Sequence, residues 1–161
     1  ATFGNANPYA EFNIWIDPEA AQIVFDSGAK ITLMPLDATH HACLRPVHSK
    51  LFRSWETKVG NFVADMIDER VDAYNRMQPL HEPDLAPIHD ALCVLYLLDR
   101  SVISDMRHMR VDVDCSGGVA DGETVCDSRA RTALPRNCYV ALGTDEEKFT
   151  SMIIDILSRA K

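Results

Sequence analysis

No apolar run in this 161-residue chain approaches the roughly 20 residues that a membrane span needs, so no membrane-crossing helix is expected. No charged-then-apolar leader pattern opens it, and a cytoplasmic location is the expectation. Cys43, Cys93, Cys115, Cys126 and Cys138 are odd in number and form no C-x-x-C pair. That excludes a disulfide framework and a structural zinc site of the usual spacing, and it fits a reducing compartment with inert, packed thiols. Positive charge is also short: 16 Lys and Arg stand against 24 Asp and Glu, a net charge of −8. Such a surface repels phosphate backbones, so nucleic acid is not expected as a partner, whereas small ligands and metal ions remain open. Internal repeats, low-complexity segments and a glycine-rich phosphate fingerprint are absent; Gly117-Gly118 and Asp121-Gly122 read as turns. The initiator Met is missing too, and the start at Ala1-Thr2-Phe3-Gly4-Asn5 fits either processing or the loss of an upstream half.

What is present suits one domain with a core: 47% hydrophobic and 25% charged residues. Asp17 as cap, Pro18 in the first turn and Glu19 behind it predict a helix that Gly28 stops, with Ala20, Ala21, Ile23, Val24 and Phe25 as its apolar stripe. Ile31 to Leu36 is almost uniformly apolar, the pattern of a parallel strand buried on both faces. Asp37 to His41 would follow at its carboxyl end, where open α/β sheets bind ligands. Pro46 to Met77 reads as helix with a break near Lys58 to Asn61, and Phe62, Met66, Ile67, Val71 and Tyr74 recur at helical spacing. Pro79, Pro83 and Pro87 make Gln78 to Pro87 a loop. His89-Asp90 opens a helix whose apolar residues occupy nearly every position to Leu98, which predicts that it is mostly buried. Arg110 to Cys115 alternates like a half-exposed strand, Glu123 to Asp127 and Cys138 to Leu142 are further strands, and Asp145 caps a last amphipathic helix. The fold class is therefore α/β: a parallel sheet flanked by helices, with a small antiparallel hairpin.

Two places carry candidate chemistry. Asn5, Glu11 and Asn13 place donors and acceptors beside Phe12 and Trp15, a mixture suited to a polyhydroxylated ligand such as a sugar. His89-Asp90, delivered by the Pro-rich loop to a helix start, combines a proton-transfer group with a carboxylate that the helix dipole keeps ionised for a metal. In Asp37 to His41 the adjacent His40 and His41 match metal-ligand spacing poorly, and packing and capping is the better reading. His48 and His108 have no evident partners in the sequence.

These residues resemble a known family. Gly4-Asn5, Ala10-Glu11-Phe12-Asn13 and Asp17-Pro18-Glu19-Ala20-Ala21 look like the central signature of the inosine/uridine-preferring nucleoside hydrolases, with the spacing from Asn5 to Asn13 kept without a gap. Leu36-Asp37-Ala38-Thr39-His40 resembles that family's strand-end segment, Pro87-Ile88-His89-Asp90 its proline-histidine-aspartate motif, and Gly122 to Asp127 its late glycine-threonine-valine strand. The resemblance implies cleavage of the N-glycosidic bond of ribonucleosides to ribose and free base, with a calcium ion holding the ribose diol and the attacking water. It implies that Asn5, Glu11 and Asn13 bond the ribose hydroxyls, with Phe12 beside them. It likewise implies that Asp90 ligates calcium, that His89 protonates the leaving base, and that Tyr74 is an aromatic beside that base.

The departure from the family is as informative. Its members begin with a strand ending in a D-x-D-x-G-x-D-D run that supplies most of the calcium carboxylates and the water-activating base, and no such run occurs in these residues. The expectation is therefore the C-terminal half of one nucleoside hydrolase domain, needing the other half in cis or trans. Its unpaired sheet edge and apolar helix faces favour a homo-oligomer. A second reading, a non-catalytic fragment, paralogue or assembly module of the same fold, separates from the first on whether an acidic strand end is supplied near Asp90.

Overall fold

Asp17 does cap a helix: its side chain accepts from Ala20 N at 3.0 Å, and helix α2 runs Pro18–Asp26 behind the short α1, Phe12–Trp15. Gly28, just past the α2 end, has φ +75°, the left-handed conformation in which glycine carries no Cβ penalty. A computed structural model of the chain describes residues 4–160. Beyond α2 come strand β1 (Ile31–Leu33), α3 (Leu36–Thr39), β2 (Cys43–Leu44), α4 (Pro46–Arg53), α5 (Lys58–Met77), β3 (Ala86–Pro87) and α6 (His89–Leu98). A 3-10 turn, Arg100–Val102, leads into β4 (Ile103–Val113), and β5 (Thr124–Asp127), β6 (Cys138–Thr144) and α7 (Glu146–Ser158) complete the order. The chain divides into two compact units, one running through Ala38 and resuming over Ser104–Gly143, the other comprising Thr39–Ile103 and the chain from Thr144 on.

The first unit is built on a mixed four-stranded sheet in the order β1-β6-β4-β5. β1 and β6 pair in parallel, Ile31 opposite Cys138 and Leu33 opposite Val140, as the apolar run predicts. β4 and β5 pair antiparallel, Arg110 opposite Asp127 and Val113 opposite Thr124, which is the expected hairpin. Phe25 of α2 packs on Met109, Val111, Val113, Cys138 and Val140, so every second residue of the far half of β4 faces one core. Asn137 stitches this layer: its Oδ1 accepts from Val111 N at 2.8 Å, and its Nδ2 donates to Phe25 O and Val111 O. Gly122, φ +84°, sits where an added Cβ would meet Trp15 Cα at 2.9 Å, so the hairpin turn lets α1 approach closely.

The second unit is helical. α4 and α5 run against each other with Phe52, Ala64 and Ile67 fully buried, and α6 contributes Leu92 and Leu95, α7 Phe149. A Cβ at Gly60 would stand 2.4 Å from Phe52 O, a backbone atom that cannot swing aside. Gly60→Ala is expected to destabilise this unit by about 1–3 kcal/mol, the usual range for overpacking, read as a lower urea midpoint with an unchanged slope. A two-residue antiparallel ladder, Cys43 opposite Pro87 and Leu44 opposite Ala86, closes the Pro-rich loop against the segment after α3. Among the described residues, no helix is long and apolar enough to cross a membrane, and all five cysteines are free thiols.

Several local expectations are corrected. β1 ends at Leu33, and Leu36 and Asp37 start a helical turn rather than extending the strand. The break between α4 and α5 falls before Lys58, because Thr57 caps α5 by accepting from Gly60 N at 3.0 Å. On α5 the buried stripe is Gly60, Ala64, Ile67, Val71 and Tyr74, while Phe62 is exposed. On α2, Ile23 and Val24 are exposed, and on α6 so are Val94, Leu97 and Leu98. His48 caps α4, its Nδ1 accepting from Arg45 N at 2.9 Å, and His108 stacks on Tyr139 with ring centroids 4.4 Å apart.

Candidate functional site

In the first unit the candidate residues lie on one folded-back loop. Gly4 N bonds Pro8 O, and both Asn5 N and Ala6 N bond Ala10 O, so residues 4–10 close on themselves. Only glycine fits at position 4, since a Cβ would lie 2.2 Å from Ala10 O. Asn7 Oδ1 supports the same turn by accepting from Tyr9 N and Ala10 N. Asn5 Oδ1 accepts from Phe12 N at 2.8 Å, which commits its oxygen to the first turn of α1 and leaves its amide donors for a ligand. Glu11 caps α1 by position, and its Oε1 accepts from Leu36 N at 2.9 Å. Burial raises the Glu11 carboxyl above its ordinary value, the Leu36 N–H pulls the other way, and the nearby Asp37 adds to the rise. Asn13 and Phe12 are exposed on α1, with Phe12 and Trp15 rings 6.4 Å apart. Asn5 thus bonds the backbone of Phe12, and Glu11, Phe12 and Asn13 follow one another at the start of α1.

In the second unit His89 is the centre. It opens α6, fixed by Leu92 and Leu95 in the core behind it. Its Nε2 lies 2.7 Å from Tyr74 Oη on α5, and its Nδ1 lies 2.8 Å from Thr39 Oγ1 at the end of α3. The His40 ring stands 5.9 Å from His89 and meets Tyr74 edge-on at 6.4 Å. Arg70 donates from Nε to Pro87 O at 2.7 Å, and its guanidinium lies 5.5 Å from the Tyr74 ring centroid. Burial lowers the His89 pKa to about 4; the Arg70 and His40 charges push the same way, and Asp90 opposes them. His89 is therefore a neutral imidazole near pH 7, with one N–H to give and one lone pair to receive. Burial raises the Tyr74 phenol, so it keeps its proton. Tyr74, an expected aromatic, joins His89 directly. Asp90, the next residue of α6, is exposed.

Thr39 and Arg70 were not singled out by sequence. Thr39 lies inside the strand-end segment already noted, and a hydroxyl beside His40 was its only signal. Arg70 sits on α5 four residues before Tyr74, a spacing that puts both on one helix face.

A mixed α/β fold carrying a loop with Asn5, Glu11 and Asn13 and a neutral histidine between two hydroxyls falls, by structure, with the nucleoside hydrolases. The purine-preferring ribonucleoside hydrolase from Gardnerella vaginalis matches with a TM-score of 0.85 and 32% identity, over 98% of this chain and 49% of that one. The family model described as inosine-uridine preferring nucleoside hydrolase matches residues 1–151, and the chain belongs to that family. It is 37% identical over 158 residues to the inosine-uridine preferring nucleoside hydrolase of Leishmania major, covering 97% of this chain and 48% of that protein. It is 35% identical over 158 residues to a pyrimidine-specific ribonucleoside hydrolase of Shewanella, covering 98% and 49%. The chain spans about half the length of the curated relatives it matches.

Proposed function

We propose that the protein carrying this chain hydrolyses the N-glycosidic bond of ribonucleosides to ribose and free base. The observation that carries the reading is His89, held neutral and aimed between Tyr74 and Thr39 in a member of this family. Breaking the bond from the anomeric carbon to the base nitrogen leaves the electron pair on the base and positive charge on the ribose, so a proton at the base and a held ribose ring both lower the barrier. With its pKa near 4, His89 is imidazolium in only about one molecule in a thousand at pH 7. The proton is therefore relayed by the neutral Tyr74–His89 pair: Tyr74 Oη–H passes to the base, His89 Nε2–H replaces it on Oη, and Nδ1 takes up a solvent proton through the Thr39 hydroxyl, so His89 ends as its other neutral tautomer. Asn5, Glu11 and Asn13 hold the ribose hydroxyls, and Phe12 packs beside the sugar.

The family works with a bound metal, and calcium is the finer assignment, with Asp90 giving one carboxylate. Calcium takes six to eight oxygens. Among the described residues, no group of three or more His, Cys, Asp or Glu side chains gathers about Asp90. These residues alone do not fit calcium, no step above depends on it, and its remaining ligands belong to sequence outside these 161 residues. The exposed Val94, Leu97 and Leu98 on α6 and Ile23 and Val24 on α2 support that requirement for further chain, and association between copies. The free thiols fit the cytoplasm.

The test is inosine and uridine incubated with the full-length protein that carries this chain, following ribose and free base separately. Equimolar appearance of the two is expected. Nucleoside binding with neither product would replace hydrolysis by sugar recognition.

A further inference from the structure

Three side chains away from Glu11 and His89 meet in the second unit with the chemistry of a metal site. His41 Nδ1 lies 2.9 Å from Glu146 Oε1, and the His41 and His81 rings are 5.4 Å apart between centroids. One ligating atom from each of His41, His81 and Glu146 falls within 4.8 Å of the others. Two zinc ligands at about 2.0–2.1 Å in tetrahedral array stand about 3.3 Å apart, so these side chains need only small rotations to share one ion. His41 is half-buried and His81 and Glu146 are exposed, which leaves them room to make those rotations.

Each backbone is fixed by contacts other than those among the three side chains. The turn carrying His41 is held by Ala42, whose N bonds Thr39 O at 3.1 Å and whose O accepts from Ile88 N at 2.9 Å. The Pro-rich loop is tied on both sides of His81. Asn75 and Asp84 exchange hydrogen bonds of 2.9 and 3.0 Å across its base, and Arg45 pairs with Glu82 at 2.9 Å. Glu146 opens α7, whose cap Asp145 accepts from Lys148 N at 2.9 Å. The proline loop, the turn after α3 and the first turn of α7 therefore converge on one point.

We propose that His41, His81 and Glu146 bind a borderline divalent cation of the zinc type, which ties the loop between α5 and β3 to the start of α7. Two imidazoles and one carboxylate select zinc over calcium, which prefers oxygen ligands alone. The ion takes the place of the His41 Nδ1 proton, which moves to Nε2, binds Glu146 Oε1 and takes His81 as its third ligand, with water filling the fourth position.

The test is calorimetric titration of zinc chloride into the full-length protein, repeated with His41→Ala, His81→Ala and Glu146→Gln, with calcium chloride as the comparison ion. One zinc per chain is expected, and each variant should weaken binding at least about tenfold, equivalent to about 1.4 kcal/mol. Saturating calcium should leave the zinc titration unchanged. His81 is exposed, so His81→Ala leaves the fold intact and reads the site without a folding change. No zinc binding by the native protein, or zinc binding that survives His81→Ala unchanged through the thiols or His89, would overturn the proposal.

Discussion

Replacing His89 by alanine is expected to slow ribonucleoside hydrolysis by the full-length protein by about 10²–10⁴-fold, the usual worth of a positioned acid. The loss should fall on kcat, because the proton is needed only as the glycosidic bond breaks. A ribonucleoside analogue with a nitrophenolate leaving group departs without protonation, and its cleavage should drop less than about tenfold in the same variant. Equal losses on both substrates would make His89 a positioning residue instead. His89→Ala also strips Tyr74 Oη and Thr39 Oγ1 of their 2.7 and 2.8 Å partners. His89→Gln separates the two effects: its amide can bond Tyr74 yet cannot relay a proton, so it should hold stability near native while matching the alanine variant in rate.

How far the sequence reaches differs between the two candidate regions. The Asn5–Asn13 loop is legible because its determinants are local: Gly4, Asn7 and the Asp17-Pro18 helix start act within a few residues of one another. The β4–β5 hairpin is legible for the same reason, since Asp121-Gly122 and strand alternation are short-range signals. The partners of His89 are not, because Thr39 lies 50 residues away in sequence and Tyr74 lies 15 away, and no periodicity records a pairing between elements. The bond from Leu36 N to Glu11, across 25 residues, is hidden in the same way. α6 misled for another reason. An all-round apolar helix announces that it wants cover, but not whether these residues supply it, and only the Leu92 and Leu95 face is covered.

Glu11→Gln is expected to lower kcat/KM for ribonucleosides by about 5- to 12-fold, the loss when a charge-assisted hydrogen bond worth about 1.5–3 kcal/mol becomes a neutral one worth about 0.5–1.5 kcal/mol. The same substitution should raise stability, and that pairing is the diagnostic. Burial lifts the folded-state carboxyl above its unfolded value, with Asp37 adding to it, although Leu36 N–H favours the ionised form. A group raised in this way contributes stability that is complete below the unfolded pKa and is lost as pH rises through the folded one. Glutamine does not ionise, and its Oε1 can still accept from Leu36 N. Native and variant melts should therefore converge below the ordinary glutamate pKa of about 4.3 and part as pH rises above it, with the glutamine protein melting higher. A variant that is both less active and less stable at pH 7 would mean that the Leu36 contact needs the charge, and that Glu11 serves the loop alone. Lower activity with higher stability would show a half-buried carboxylate kept ionised against its own folding cost, the pattern of a group retained for the positive charge that develops on the ribose.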